Sequence, residues 1–258
     1  MELDNQTEEK VMEHSDRHAD ISDAKVHPWR KCGTGKHLVR EHMVHVPVSK
    51  IHPEGINAVW HEHCADNPSR KDELSYAEIK YISEAHFANL TGLSPTAGVL
   101  TKKFPDADKY DNEIRGWVQY WNDIFQLDDP LNPNVVKALI ATESSFRPQP
   151  KEHHYVYGLM QVTGQTHQYL CGEKKELRDH LVRISTDELL DPSSNICAGV
   201  RWLFRKKETA SWLLKRTATW EETVEDYKAI LSQRMTGQKY NPKPMEDFRE
   251  YYTLLSGG

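Results

Sequence analysis

Glu143 lies in the stretch ALIATESSFRP, Ala138 to Pro148, and YGLMQV follows at Tyr157 to Val162. Apolar residues precede it and Phe146 follows. A carboxyl at an apolar helix end is desolvated, which disfavours its charged form and lets it hold a proton near neutral pH. Such an acid can protonate the oxygen of a glycosidic bond. The plainer reading of a helix-end glutamate is a solvated or capping acid, and Glu143 alone does not choose between the two. A second acid, Glu152, follows nine residues later in PKEHHYVYG, beside Lys151, His153 and His154, and no other acid lies between Glu143 and Gln161. An inverting glycosidase needs a second carboxylate across the bond to activate water. Glu152 is the candidate for that role, or else a solvated loop charge.

A second concentration of reactive side chains lies earlier. Nine of the fourteen histidines fall between His14 and His63, with Cys32 and Cys64 bracketing most of them. Cys32, His37, His42, His45, His61, His63 and Cys64 could supply a tetrahedral structural zinc site, although Cys32-x4-His37 and His61-x-His63-Cys64 only approximate a finger spacing. The core of that ligand set is Cys32, His37, His42, His63 and Cys64. The alternatives are a Cys32–Cys64 disulfide, or two free thiols among exposed histidines. Cys171 and Cys197 lie later in the chain, as a second disulfide or as two separate thiols. The acidic run DADKYDNE at 106–113 lacks the glycine and the final glutamate of a calcium loop and reads as a polar lead-in to a helix.

The elements that must position these groups fall into three sections. Residues 1–25 form an acidic leader. Residues 26–75 are rich in His, Pro and Gly, and the alternation in HMVHVPV and INAVWHEH suits small strands joined by turns. Residues 76–258 are helical. Ser75 with Glu78 reads as a capping box opening a helix to about Asn89. Residues 110–126 put Ile114, Trp117, Val118, Trp121, Ile124 and Phe125 on one apolar face. Asn132-Pro133 opens the helix that ends near Glu143. Further helices are expected at about 163–171, 195–209, 219–233 and 245–255. The fold class is mainly α with a small irregular α+β, His/Cys-rich N-terminal section.

The order Glu143-Ser144-Ser145-Phe146, then Gly158-Leu159-Met160-Gln161, then ELLDPSSNICAGVRWLF at 188–204, then WEETVEDYKAI at 220–230 resembles the lytic transglycosylase and goose-type lysozyme superfamily. The resemblance covers about 130–255. It implies a lysozyme-like catalytic domain that cleaves the β-1,4 bond between N-acetylmuramic acid and N-acetylglucosamine in bacterial peptidoglycan, with no cofactor for that step. It places the catalytic acid at Glu143 and sugar contacts at Gln161 and Tyr227. Gly158 and Met160 would shape the cleft wall, and Ser145 would join the substrate-binding set. This chain departs from the family pattern in having Asp226-Tyr227-Lys228 where Ala-Tyr-Asn is usual, and Gly164 in QVTGQT where a proline is common. A family member without a second carboxylate cleaves by attack of the sugar's own 6-hydroxyl and leaves a 1,6-anhydro end, so Glu152 decides between lysozyme and lytic transglycosylase. A non-catalytic wall-binding or secretion-adaptor module on the same scaffold is the alternative, against which the acid at 143 argues.

Charge excludes other classes. Residues 1–134 carry 15 Lys/Arg against 23 Asp/Glu, and residues 135–258 carry 18 against 16, so neither half has the basic surplus of a nucleic-acid binder. A His-Asn nuclease reading of HEHCADNP lacks a second metal-binding histidine at helical spacing, and the acidic front half would repel DNA. No apolar run approaches the roughly 20 residues of a transmembrane segment. The first residues, MELDNQTEEKVMEHSDRHADISD, have neither the basic start nor the apolar centre of a secretory signal peptide. The zone from His27 to Asp72 is also similar to segments of type VI secretion effectors that attack cell walls. That similarity implies delivery by a secretion apparatus to the periplasm of a target bacterium, with an immunity protein and a secretion-apparatus component as partners. A phage tail or endolysin role is the nearest alternative.

Overall fold

The computed structural model describes residues 26–51, 53–148 and 155–257. The expected leader over 1–25 and the second-carboxylate candidate Glu152 lie outside the described residues.

The alternating runs of the N-terminal section form strands. β1 (Lys36–Val39) pairs antiparallel with β4 (His63–Asp66), and β2 (His42–Val46) with β3 (Ile56–Trp60). Val39 faces His63 and His42 faces Trp60, so one register runs through the break at Arg40 and Glu41 and the four strands make a single ribbon. Leu38 roots its inner half in the protein, whereas Met43, Val59 and Trp60 on the outer half are exposed.

A disulfide between Cys32 and Cys64 closes the base of this ribbon. This corrects the expected zinc site, because both thiols are consumed and the histidines turn to other partners. His37 Nδ1 donates to Asn67 Oδ1 at 2.9 Å, His42 Nδ1 to the Arg40 carbonyl at 2.9 Å, and His63 Nδ1 to the His61 carbonyl at 2.8 Å. His45 bonds Asn57, and His61 bonds Glu41. Among the described residues no three His, Cys, Asp or Glu side chains converge to hold a metal. The later cysteines, Cys171 and Cys197, are separate buried thiols.

Buried charge joins the ribbon to the helices. The Arg30 guanidinium donates to Glu78 Oε1 from Nε at 3.1 Å and Nη2 at 2.9 Å, to the Lys36 and Glu73 carbonyls at 2.9 and 3.1 Å, and to Asp72. Burial would raise the Asp72 carboxyl, but hydrogen bonds and charge from His180 and Arg30 hold it below the ordinary range. Glu78 sits higher than usual because burial outweighs the same guanidinium. β5 (Glu73–Ser75) then pairs in parallel with β8 (Leu181–Arg183), a contact across more than 100 residues that no local pattern announces.

The helices follow their apolar faces and caps. α1 (Tyr76–His86) opens on the Ser75/Glu78 capping box. α2 (Asp111–Phe125) buries Ile114, Trp117, Val118 and Trp121 as expected, and its indoles donate to Ser193 Oγ at 2.9 Å and the Cys197 carbonyl at 3.0 Å. α3 (Pro133–Glu143) starts on the Asn132 cap and is buried on all sides from Pro133 to Ala141, so it is the central helix. The one charge within that buried stretch, Lys137, is fully buried and pairs with Asp108 at 2.7 Å and Asp111 at 2.8 Å. Burial nonetheless pushes the Asp111 carboxyl up to about 6.

Beyond α3 come the short pair β6 (Val156–Tyr157) and β7 (Val162–Thr163), α4 (Gly164–Leu170), and the long α5 (Pro192–Leu214). α5 extends past its expected 195–209 at both ends. Asp191 caps it with Pro192 in the first turn, and Lys215 stops it in the left-handed region at φ 56°. The helix expected over 219–233 is two, α6 (Trp220–Tyr227) and α7 (Leu231–Met235), broken at Ala229 with φ 55°. α8 (Lys243–Ser256) closes the fold against α3. Leu74, Ile79 and Ile82 belong to the same continuous core as the central helices. The architecture is mainly α with a small α+β front, as the sequence predicts. Among the described residues no helix is long and apolar enough to cross a membrane.

The disulfide links residues 32 positions apart, and closing a loop of that length stabilises by about 3.7 kcal/mol in the chain-entropy account. Paired Cys32→Ser and Cys64→Ser substitutions should therefore lower the thermal midpoint, and reductant should lower the wild-type midpoint to match. Equal midpoints throughout would mean the ribbon base is held without the bond.

Candidate active site

α3 delivers Glu143 at its last turn, and the chain then reverses through Ser145 and Phe146, both left-handed at φ 52° and 62°. Phe146 is fully buried and anchors the reversal. Glu143 faces a cleft of about 650 Å³ together with Thr142. Gln161, Val162 and Thr163 supply one wall and Trp202 of α5 another. Tyr227 to Ile230 at the end of α6, and Tyr240 and Asn241 ahead of α8, complete it.

The Gly158–Gln161 turn is fixed from behind by Asn195, which is fully buried. Asn195 Nδ2 donates to the Tyr157 carbonyl at 2.8 Å and the Leu189 carbonyl at 3.0 Å, while Oδ1 accepts from Met160 N at 2.7 Å. Gly158 has φ 70°, and a Cβ there would come within 2.1 Å of the Asn195 amide, so both the conformation and the space demand glycine. Gly199, one helical turn further along α5, gives Met160 the same close approach; a Cβ would fall 2.4 Å from its sulfur. Gln161 is itself left-handed at φ 50°, and its Nε2 donates to the Gly158 carbonyl at 2.7 Å.

Tyr227 crosses from α6 to this turn. Its hydroxyl donates to the Met160 carbonyl at 2.7 Å, and burial, with the Glu143 charge adding to it, holds that hydroxyl well above the ordinary phenol range. The next residue, Lys228, reaches the acid. Its Nζ bonds Glu143 Oε1 and donates to Thr142 Oγ1 at 2.9 Å. The Lys228 side chain is 7% exposed and that of Glu143 19%. The apolar neighbours in sequence are thus not the whole environment of Glu143: one carboxyl oxygen is held by a nearly buried ammonium.

Of the residues singled out in the sequence, Glu143, Gln161 and Tyr227 converge on the cleft. Gly158 and Met160 are buried behind it and act through the turn they build. Ser145 is exposed in the reversal after α3 and is not among the residues lining the cleft. Sequence reasoning did not single out Thr142, Trp202 and Tyr240 as cleft residues. Trp202 lies in an apolar run that reads as core, and Tyr240 in a short loop with no periodicity. Asn195 was visible only as part of a helix pattern, although a polar residue among Ile196, Cys197 and Ala198 is the signal that could have marked it.

Residues 124–246 match the family model described as the Transglycosylase SLT domain. Comparison with curated proteins and with solved structures finds no match. The matched segment contains Glu143, the turn, Asn195 and Lys228.

Asn195→Ala removes the side-chain hydrogen bond from three backbone groups, two of those bonds buried. The expected loss is about 3 kcal/mol of stability, read as a lower denaturation midpoint. Wild-type stability in that variant would mean the turn holds itself.

Proposed function

We propose, from the premise that residues 124–246 are a transglycosylase SLT domain and that this chain is an enzyme cleaving peptidoglycan glycan strands, that Glu143 is its proton donor. The bond would be the β-1,4 linkage between N-acetylmuramic acid and N-acetylglucosamine. The observation that carries this reading is that Glu143 is the sole acid among the described residues lining the cleft, with Gln161 and Tyr227 beside it. Glu143 gives its proton to the glycosidic oxygen as the C1–O bond breaks, and the carboxylate left behind takes a proton from the attacking hydroxyl. A single carboxyl serving in turn as acid and base accounts for both steps. The match to the transglycosylase family model supports a lytic transglycosylase, in which the attacking group is the sugar's own 6-hydroxyl.

Product mass tests the reaction. Muropeptides released by the wild type should carry 1,6-anhydro ends, one water lighter than reducing ends, and Glu143→Gln should release at least about 100-fold less. Reducing ends, abolished by Glu152→Gln, would make the enzyme a hydrolase. Undiminished release by Glu143→Gln would remove the proposed proton donor.

We further infer that the enzyme works as an antibacterial effector in the periplasm of a target cell, met there by an immunity protein. The Cys32–Cys64 disulfide supports this, since such bonds persist in oxidising compartments such as the periplasm and are rare in the cytosol. Expression with a periplasmic targeting sequence should lyse bacteria, whereas cytosolic expression and periplasmic Glu143→Gln should not. Lysis from the cytosol would count against a periplasmic site of action.

A further inference from the structure

Lys228 stands where the family pattern has asparagine, and among the described residues it makes the one salt bridge to Glu143. Three observations suggest that this contact is built rather than incidental. First, the ammonium is nearly buried and has two partners, Glu143 Oε1 and Thr142 Oγ1, so it grips the last turn of α3 at neighbouring residues. Second, both chain reversals that present the pair run through left-handed non-glycine residues. Ser145 and Phe146 follow the acid. Ala229 follows the lysine, in a closing turn where Ile230 N–H bonds the Glu225 carbonyl at 2.8 Å and Ala229 N–H bonds the Asp226 carbonyl at 3.1 Å. Glycine is the usual residue at such a position, and alanine there costs about 1 kcal/mol. Strain of this kind persists where the surrounding structure over-determines it.

Third, α3 and α6 both reach the cleft with their C-terminal ends. A helix C-terminus carries partial negative charge, which disfavours a carboxylate and favours an ammonium. An unaccompanied Glu143 carboxylate would face two such ends. Lys228 compensates it from the position that both ends favour.

We propose that Lys228 is the positioning residue of Glu143: it fixes the direction of the carboxyl and compensates its charge whenever the proton has been given away. The inference rests on Glu143 as proton donor. Lys228 acts through Glu143 and makes no essential contact with the sugar.

The test uses the full chain and purified, uncrosslinked glycan strands. Lys228→Met, which keeps length and removes charge, should lower kcat about 10- to 100-fold with KM within about threefold. Lys228→Arg should recover most of that loss. Thr142→Val removes the second grip and should lower kcat about two- to tenfold, again at constant KM. It keeps the proposal testable should Lys228→Met fold poorly by circular dichroism. In a Glu143→Gln background, adding Lys228→Met should leave strand affinity unchanged by fluorescence titration. The proposal is overturned by an unchanged kcat in Lys228→Met, by a raised KM with kcat intact, by equal impairment of the Met and Arg variants, or by weakened strand affinity in the double variant. Full activity in Glu143→Gln would instead remove the proton-donor reading itself, independently of Lys228.

Discussion

The buried Asn195 side chain is the point from which the cleft is hung. A primary amide removed from water is costly unless each of its polar atoms finds a partner, and here both N–H groups and the oxygen do. Those three bonds tie β6, the short 3₁₀ turn at Glu188–Leu190 and the Met160 amide to the start of α5. Once the Met160 carbonyl is fixed, the Tyr227 hydroxyl has a defined acceptor, and α6 is held at a set distance from the turn. Lys228 follows Tyr227 directly, so its reach to Glu143 is set by the same chain of contacts. The two glycines that allow it, Gly158 and Gly199, are required because an amide and a thioether occupy the space a Cβ would take.

This chain buries several charged side chains within its helical core. It does so in compact groups rather than as scattered ions. Arg30 meets two carboxylates and two carbonyls, and Lys137 meets two carboxylates. Among the described residues Arg201 hydrogen-bonds no carboxylate; it rests on two carbonyls and the face of Phe125, and burial pushes its guanidinium down to about 10. Such groups add little net stability over apolar packing, but breaking one leaves an uncompensated charge. Their use here is in register. The Arg30 group fixes the ribbon's base against α1 and β5, which a section with so few buried apolar side chains could not do by packing alone. The Cys32–Cys64 disulfide, one of the alternatives the sequence left open beside a metal, completes the staple.

The helices were legible because their apolar faces and caps are local: Ser75 with Glu78, Asn132 with Pro133, and the Trp117–Trp121 face all act within a few residues. The order of Glu143, Gln161 and Tyr227 was legible for the same reason, since each sits in its own short motif. What stayed hidden is non-local. The β5–β8 pair joins three-residue strands more than 100 positions apart. The break at Ala229 falls on a residue whose type favours helix, and tertiary contacts overrode it. The Cys32–Cys64 bond and the zinc set were written in the same residues, and only geometry separates them.

The same limit applied to the acid. An apolar helix end suggests a carboxyl kept neutral by its surroundings, and that inference needs only the neighbours in sequence. The actual partner comes from 85 residues away, at the end of another helix. An apolar shell can favour a proton on a carboxyl, but it cannot choose which way a rotatable side chain points. An ion pair can do both jobs of direction and charge compensation, provided the cation is itself held. Lys228 is held because α6 ends abruptly at a left-handed alanine and because Tyr227 is pinned to the turn that Asn195 supports. The direction of the proton donor is therefore a property of the α3, α5 and α6 junction as a whole, which is why a change behind the cleft wall, far from any sugar, bears on the acid as directly as a change beside it.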